Sequence, residues 1–459
     1  MTEPASAMDP RETAALEEAI EQIVAKAKEF GLDFFPMRYE ICPADVIYTF
    51  GAYAMPTRFS HWSFGKLYHQ MKTQYDYGLS KIYELVINSD PCYAFLLDTN
   101  TLLQNKMIAA HVLAHCDFFK NNYRFRHTNR QMVATMAAFA NRVRQYEQDV
   151  GRDRVERFLD AVLAIHEHVD PFPNPKPAPA ANLLRPRHSP EPISPYADLW
   201  SLDGPVPETP QAEEPPRRPG PTRDLLLFIL DHAPDLTDWQ RDIVSSVRGE
   251  MLYFRPQMET KIMNEGWASF WHARIMRELD LTPEESVEFA RMHAAVLAPN
   301  RFHLNPYHLG FHIFEDIERR YGREKIFEVR ETETDVSLIR NYLTEEICEK
   351  LDLYLYSRQG SEWRITGKGW EQVRDGILRQ INNCGIPYIY AEDSDYQRRG
   401  ELYLRHGYEG VELDPFYVER TLPHVHHIWQ RPVHLETVED GVTVIYTCTG
   451  PETRRSVKQ

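Results

Sequence analysis

A predominantly helical α+β fold, with a large helical domain ahead of a smaller α+β domain, is predicted by three observations on this 459-residue chain. Apolar residues recur at helical spacing through most of the first 330 positions. From about residue 360 the pattern turns to strand-like alternation, in Trp363-Arg-Ile-Thr, Ile386-Pro-Tyr-Ile-Tyr-Ala, Leu402-Tyr-Leu, Val411-Glu-Leu and Val442 to Thr447. Residues 170–222 carry half of the 32 prolines and few apolar side chains, a composition that cannot offset its ordering entropy. The expected domains are therefore 1–330 and 331–459, with 170–222 an extended insertion thrown out of the helical part.

The elements follow in order. Asp9-Pro10 offers an N-cap and a first-turn proline, and Gly31 a stop, for a helix over 10–30 whose apolar face is Leu16, Ile20, Ile23, Val24 and Ala27. Residues 33–60, rich in aromatics and punctuated by proline, read as an ordered loop, with helices at about 63–75 and 78–88 after it. Cys92 to Leu97, flanked by Asp90-Pro91 and Asp98-Thr-Asn100, reads as a strand. A helix over about 101–120 follows a Thr/Asn cap, and two more occupy 128–149 and 151–169. Beyond the insertion Leu225–Asp231 is apolar, Thr237 caps a helix to about 254, and Pro256 starts another that ends near Leu279. Pro283 and Pro306 open helices over 283–297 and 306–321, and the charged stretch from Arg323 to about 358 is helical with a break near Thr332–Asp335.

The net charge of −16 argues against unassisted binding to nucleic acid or anionic membrane, both of which reward clustered lysine and arginine. Six scattered cysteines without a C-x-x-C pair read as reduced thiols of a cytosolic protein. The acidic, alanine-rich start lacks the marks of a signal peptide, and no apolar run reaches the 18 or so residues of a membrane span. The expected location is cytoplasmic. Oligomeric state is not legible.

Two segments carry the chemistry. In His111-Val-Leu-Ala-His115 the histidines sit about 40° apart on a helix, so both imidazoles can face one ion. Asn264-Glu-Gly-Trp-Ala-Ser-Phe-Trp-His272 offers a third donor, Glu265, on a second helix, and a His₂Glu set is that of zinc sites with an open position. The zinc-protease helix motif carries its glutamate base directly after the first histidine, where this chain has Val112. His272, seven residues from Glu265 on the same face, is the candidate to replace that base or to close the site as a fourth ligand. Asp117 and Asn121 are candidate orienters of the imidazoles. Arg58 and His61, among aromatics in Tyr53 to Trp62, suit the wall of a substrate pocket, or an aromatic-packed loop in which Arg58 neutralises a buried acid. Histidines also gather at His303, His308 and His312, and at His424, His426, His427 and His434, the latter along apparent strand or loop. No G-x-S-x-G, phosphate-cradling loop or dinucleotide fingerprint is present.

The Asn-Glu-Gly-aromatic-Ala-Ser segment resembles that of gluzincin aminopeptidases, where the glutamate is the third zinc ligand, although here the two segments lie farther apart. Longer runs carry a wider resemblance: Phe50-Gly-Ala-Tyr, Pro56-Thr-Arg-Phe-Ser-His-Trp, Tyr77-Gly-Leu-Ser-Lys-Ile-Tyr-Glu-Leu-Val-Ile-Asn, His111 to Asn122, Met263 to His272 and Asn305-Pro-Tyr307. On these the chain resembles the stage V sporulation protein R family over nearly its whole length apart from 170–222. The resemblance implies a part in spore cortex (peptidoglycan) formation or envelope assembly, and supplies no biochemical activity. The combined expectation is a zinc-dependent, hydrolase-like protein acting on a peptidoglycan-related substrate or with envelope-assembly proteins. Its rival is a non-enzymatic regulator or scaffold of such proteins, holding at most a structural metal.

Overall fold

The structure, a computed structural model, describes residues 10–77, 84–172, 221–300, 303–359 and 362–458, so nearly all of the expected 170–222 insertion lies outside the described residues. The chain forms two compact units, one from Met1–Asp160 with Asp242–Pro387 and one from Ala161–Arg241 with Tyr388–Gln459. Residues 331–387 therefore stay with the helical unit, because their helices bury Leu338, Ile339, Ile347 and Val373 in its core.

The helical unit opens with α1 (Pro10–Glu29), β1 (Met37–Cys42), α2 (Ala44–Tyr53), α3 (Trp62–Asp76), β2 (Glu84–Ile87) and β3 (Cys92–Leu97). Two expectations change here: the aromatic loop holds a strand and a helix, and the helix expected over 78–88 gives way to β2 from Glu84 on. The cause is tertiary. β3 pairs in parallel with β1 and antiparallel with β2, and that ladder overrides the weak local signal of short segments. α4 (Leu102–Asn121) then starts from a capping box in which Thr101 Oγ1 accepts from Gln104 N and Gln104 Oε1 accepts from Thr101 N. α5 (Met132–Val150) and α6 (Arg152–Leu163) follow.

After α7 (Leu225–His232), which belongs to the second unit, α8 (Asp238–Glu259) runs unbroken past Pro256, and α9 (Lys261–Arg277) begins only after Thr260. Thr260 makes no side-chain cap. Asp335 supplies one from elsewhere, its carboxylate accepting from Ile262 N at 2.8 Å and Met263 N at 2.9 Å. α10 (Pro283–Val296) and α11 (Pro306–Tyr321) match the proline-led expectation, each with a capping side chain, Thr282 and Asn305. α12 (Arg323–Thr332), α13 (Asp335–Tyr342), α14 (Glu345–Lys350), the hairpin β4 (Leu355–Gln359) and β5 (Glu362–Gly367), and α15 (Trp370–Ile381) complete the unit.

Its core is aromatic. Trp267 and Trp271 of α9 lie wholly buried with Phe118 and Phe119 of α4 and Phe314 of α11, with Trp267 edge-on to Phe314 at 5.2 Å. Asp117 is buried at their centre, where its carboxylate accepts from Trp267 Nε1 at 2.8 Å and pairs with Arg330 of α12 at 2.8 Å. It ties three helices together and faces away from the imidazoles it was expected to orient. Asn121, likewise, donates to the carbonyls of Asp33 and Asp117.

The second unit pairs β6 (Ile389–Tyr396), β7 (Glu401–His406), β8 (Val433–Glu439), β9 (Val442–Cys448) and β10 (Thr453–Val457) in the order β10-β9-β8-β7-β6. β7 and β8 are parallel and joined through α16 (Pro415–Trp429), whose Val418, Leu422, Val425, Ile428 and Trp429 are buried. Val411–Leu413 is not a strand, and His424, His426 and His427 ride on α16 rather than on strand or loop. Among the described residues no helix is long and apolar enough to cross a membrane.

Candidate metal centre

α4 and α9 pack side by side and are buried over most of their length, so a polar side chain on the shared face meets protein rather than water. The contacts show which way they run: His115 reaches Asn264 while His111 reaches His272, so the helices cross antiparallel. This brings His111 and His115, 5% and 6% exposed, against Glu265. The Nε2 atoms of the two histidines are 3.1 Å apart, and Glu265 Oε2 lies 3.4 Å from that of His115 and 3.8 Å from that of His111. A triangle of these sides has a point about 2 Å from every corner, which is the zinc–nitrogen and zinc–oxygen bond length.

The donor chemistry fits a cation at that point. His115 Nδ1 faces the Asn264 carbonyl oxygen at 2.8 Å, so its proton sits there and its Nε2 presents a lone pair to the centre. Glu265 Oε2 is buried and has no partner in hydrogen-bonding geometry, a costly state for a carboxylate oxygen unless an ion completes it. Burial favours the neutral carboxyl, but in the absence of an ion a proton on the facing nitrogens of His111 and His115 outweighs that and holds Glu265 well below the usual carboxylate range. Among the described residues this is the single His/Cys/Asp/Glu group close enough to share an ion.

His272 does not join the three. Its Nδ1 is 2.8 Å from Nδ1 of His111, on the far side of that ring from the donor point, and its Nε2 is 2.9 Å from Nδ1 of His293 on α10. Burial, with His111 and His293 adding to it, pushes the His272 pKa well down, and burial with the charge of Arg277 lowers His293 to about 4. Tyr307, at the start of α11, lies nearly parallel to the His111 ring at 6.0 Å between centroids. Val112 turns into a separate apolar cluster with Leu16, Ala94, Leu96 and Ile108, so the position after the first histidine cannot serve the centre.

Arg58 and His61 stand apart from this group. Arg58 pairs with Glu250 at 2.6 Å, both side chains under a tenth exposed, and its guanidinium lies 4.0 Å from the Phe64 ring centre. His61 caps α3 and lies 3.2 Å from Asp160. The aromatic-packed loop with Arg58 neutralising a buried acid describes this arrangement. Arg58→Ala is expected to cost about 3–5 kcal/mol of stability by stranding Glu250, with metal content unchanged. Loss of bound metal at unchanged stability in calorimetry would contradict it.

His308 and His312 lie with ring centres 5.0 Å apart, and His312 pairs with Glu315. His434 pairs with Glu401 and Thr447 in the second unit. Sequence reasoning missed Asn264, His293 and Tyr307. Asn264 and Tyr307 stood inside the recognised runs, while His293 on an amphipathic helix carried no local mark.

A family model described as SpoVR like protein matches residues 11–386, and one described as SpoVR-like C-terminal domain matches residues 387–440. The chain is 31% identical over 462 residues to "Uncharacterized protein YcgB" of Escherichia coli (strain K12), covering 90% of each sequence. No solved structure matches it.

Proposed function

The chain belongs to the SpoVR-like family, and we propose that it holds a divalent transition ion, zinc first, on His111, His115 and Glu265 and serves spore-cortex or envelope assembly through hydrolase-type chemistry. The observation that carries this reading is the convergence of two imidazole Nε2 atoms on a buried carboxylate oxygen that makes no hydrogen bond of good geometry. With three protein donors and no fourth among the described residues at the same point, one coordination position is left for water or substrate. When bound, the ion would supply Lewis acidity toward a scissile carbonyl or a water. The chain's own residues hold the donors: Asn264 fixes the His115 ring, and His272 meets the outer nitrogen of His111.

No base is at hand: the position that carries the glutamate in the zinc-protease motif holds Val112, turned into the apolar core, and His272 is committed to two other imidazoles. That favours a second reading, a regulator of envelope assembly with a structural ion. Elemental analysis of protein purified without chelator is expected to find close to one zinc per chain. Two histidines and one carboxylate also suit ferrous iron, which the same measurement identifies. Protein that carries no transition metal, and takes up none when zinc is added, overturns both readings. Release of an amine or sugar from peptidoglycan fragments by the metal-loaded protein, absent after chelation, separates the first from the second.

A further inference from the structure

Three imidazoles stand in line behind the donor point. His111 Nδ1 meets His272 Nδ1 at 2.8 Å, and His272 Nε2 meets His293 Nδ1 at 2.9 Å. Each contact needs one proton between its two nitrogens, and a neutral imidazole carries one N–H. The line therefore has two registers. In one, His111 carries its proton on Nε2 and gives it to His115 Nε2, 3.1 Å away, while Nδ1 accepts from His272 and His272 accepts from His293. In the other every proton moves to the opposite nitrogen. His111 then donates from Nδ1 to His272, His272 donates from Nε2 to His293, and both facing Nε2 atoms present lone pairs to the centre.

We infer that His272 and His293 are positioning residues that select the tautomer of His111, making it a ligand only in the register where His272 accepts its Nδ1–H. This rests on the reading of His111, His115 and Glu265 as metal ligands and assigns their outer partners. His115 has the simpler arrangement, since the Asn264 carbonyl oxygen can only accept and so fixes that ring in the ligating form. His111 has an adjustable partner, and a cation sets the direction of the whole line. Neither outer partner is a carboxylate, so neither adds negative charge to a ligand imidazole, and the ion keeps more of its Lewis acidity than behind a carboxylate–histidine pair.

The test compares acceptors of different chemistry at position 272 in the full-length protein, using cobalt(II) as the probe. Wild type is expected to bind one cobalt with the visible absorption of a low-coordinate site. His272→Leu, which offers no acceptor, is expected to weaken binding by roughly 10–100-fold in chelator competition and to alter the spectrum. His272→Gln, whose amide oxygen accepts from Nδ1–H, should recover most of the affinity and the wild-type bands. If His272→Leu does not fold, the half-buried end of the line carries the test: His293→Ala should shift affinity in the same direction by less, and His293→Gln should restore it. Wild-type affinity and spectrum in His272→Leu, or in His293→Ala where that variant stands in, overturn this inference and leave the metal reading standing. Equal loss in His272→Leu and His272→Gln at equal stability also overturns it. A wild type that binds no cobalt removes both.

Discussion

Glu265→Gln is expected to abolish metal retention while leaving the metal-free protein as stable as wild type or more so. The substitution keeps the shape of the side chain and removes the charge. In the metal-free fold Glu265 Oε2 is buried without a hydrogen bond of good geometry, so where the His111 and His115 imidazoles 3.8 and 3.4 Å away are neutral, its loss relieves a desolvation cost larger than the contact it removes. In the loaded fold it removes one of three protein donors, an effect larger than the roughly 10–100-fold seen for changes outside the coordination sphere. Ligand linkage gives a readout. Zinc at a hundredfold excess over its Kd should stabilise wild type by about 2.7 kcal/mol and Glu265→Gln by almost nothing. The opposite pattern has its own meaning. A carboxylate acting only as counter-ion to a protonated His111 or His115 would leave, in Glu265→Gln, an uncompensated buried charge costing about 3–5 kcal/mol in the metal-free protein. Calorimetry with and without chelator, beside metal analysis after dialysis, separates the two. Retention of zinc at the wild-type ratio by Glu265→Gln would end the ligand assignment.

That His111, His115 and Glu265 come together was legible because candidate ligand chemistry leaves short-range marks: two histidines one helical turn apart, and a glutamate within a recognisable run on another helix. His272 was misplaced by the same reasoning, for a reason the helix itself provides. Seven residues return a side chain to the same face but advance it about 10 Å along the axis, so Glu265 and His272 cannot both reach one ion from one straight helix. Antiparallel packing of α9 on α4 then puts Glu265 beside His115 and His272 beside His111, which no single-helix pattern contains. The fold divides likewise. α4, α10 and α11 were readable because capping side chains and prolines mark their starts. β1 was not, since its six residues are held by parallel pairing with β3 far along the chain, and β2 was not, since it has only four residues. α16 was hidden by Pro423 within it and by a histidine-rich sequence that alternates.

Gly266→Ala is expected to be the most damaging single-methyl change in the centre. A Cβ at 266 would lie 2.4 Å from both the Cα and the carbonyl carbon of Gly310 on α11, and one at 310 would lie 2.1 Å from the Ile262 carbonyl oxygen. Carbon atoms rest about 3.5–4.0 Å apart, so the two backbones would have to separate by more than 1 Å. Both obstacles are main chain and cannot rotate away. Alanine's better helix propensity, worth up to about 1 kcal/mol, opposes an overpacking cost of roughly 1–3 kcal/mol or more, and the cost prevails. The glycine pair lets α11 come close enough for Tyr307 to lie along His111, and residue 266 adjoins Glu265, the proposed third donor. Pushing α9 off α11 should therefore loosen the donor triangle as well as lower the unfolding midpoint. Gly249→Ala is the matched control: it sits on the exposed side of α8, and a Cβ there meets nothing within 4 Å. It should be neutral or stabilising by up to about 1 kcal/mol, with wild-type zinc content. Gly266→Ala with a midpoint and zinc affinity matching Gly249→Ala would mean that the close approach of α9 and α11 does not hold the centre together.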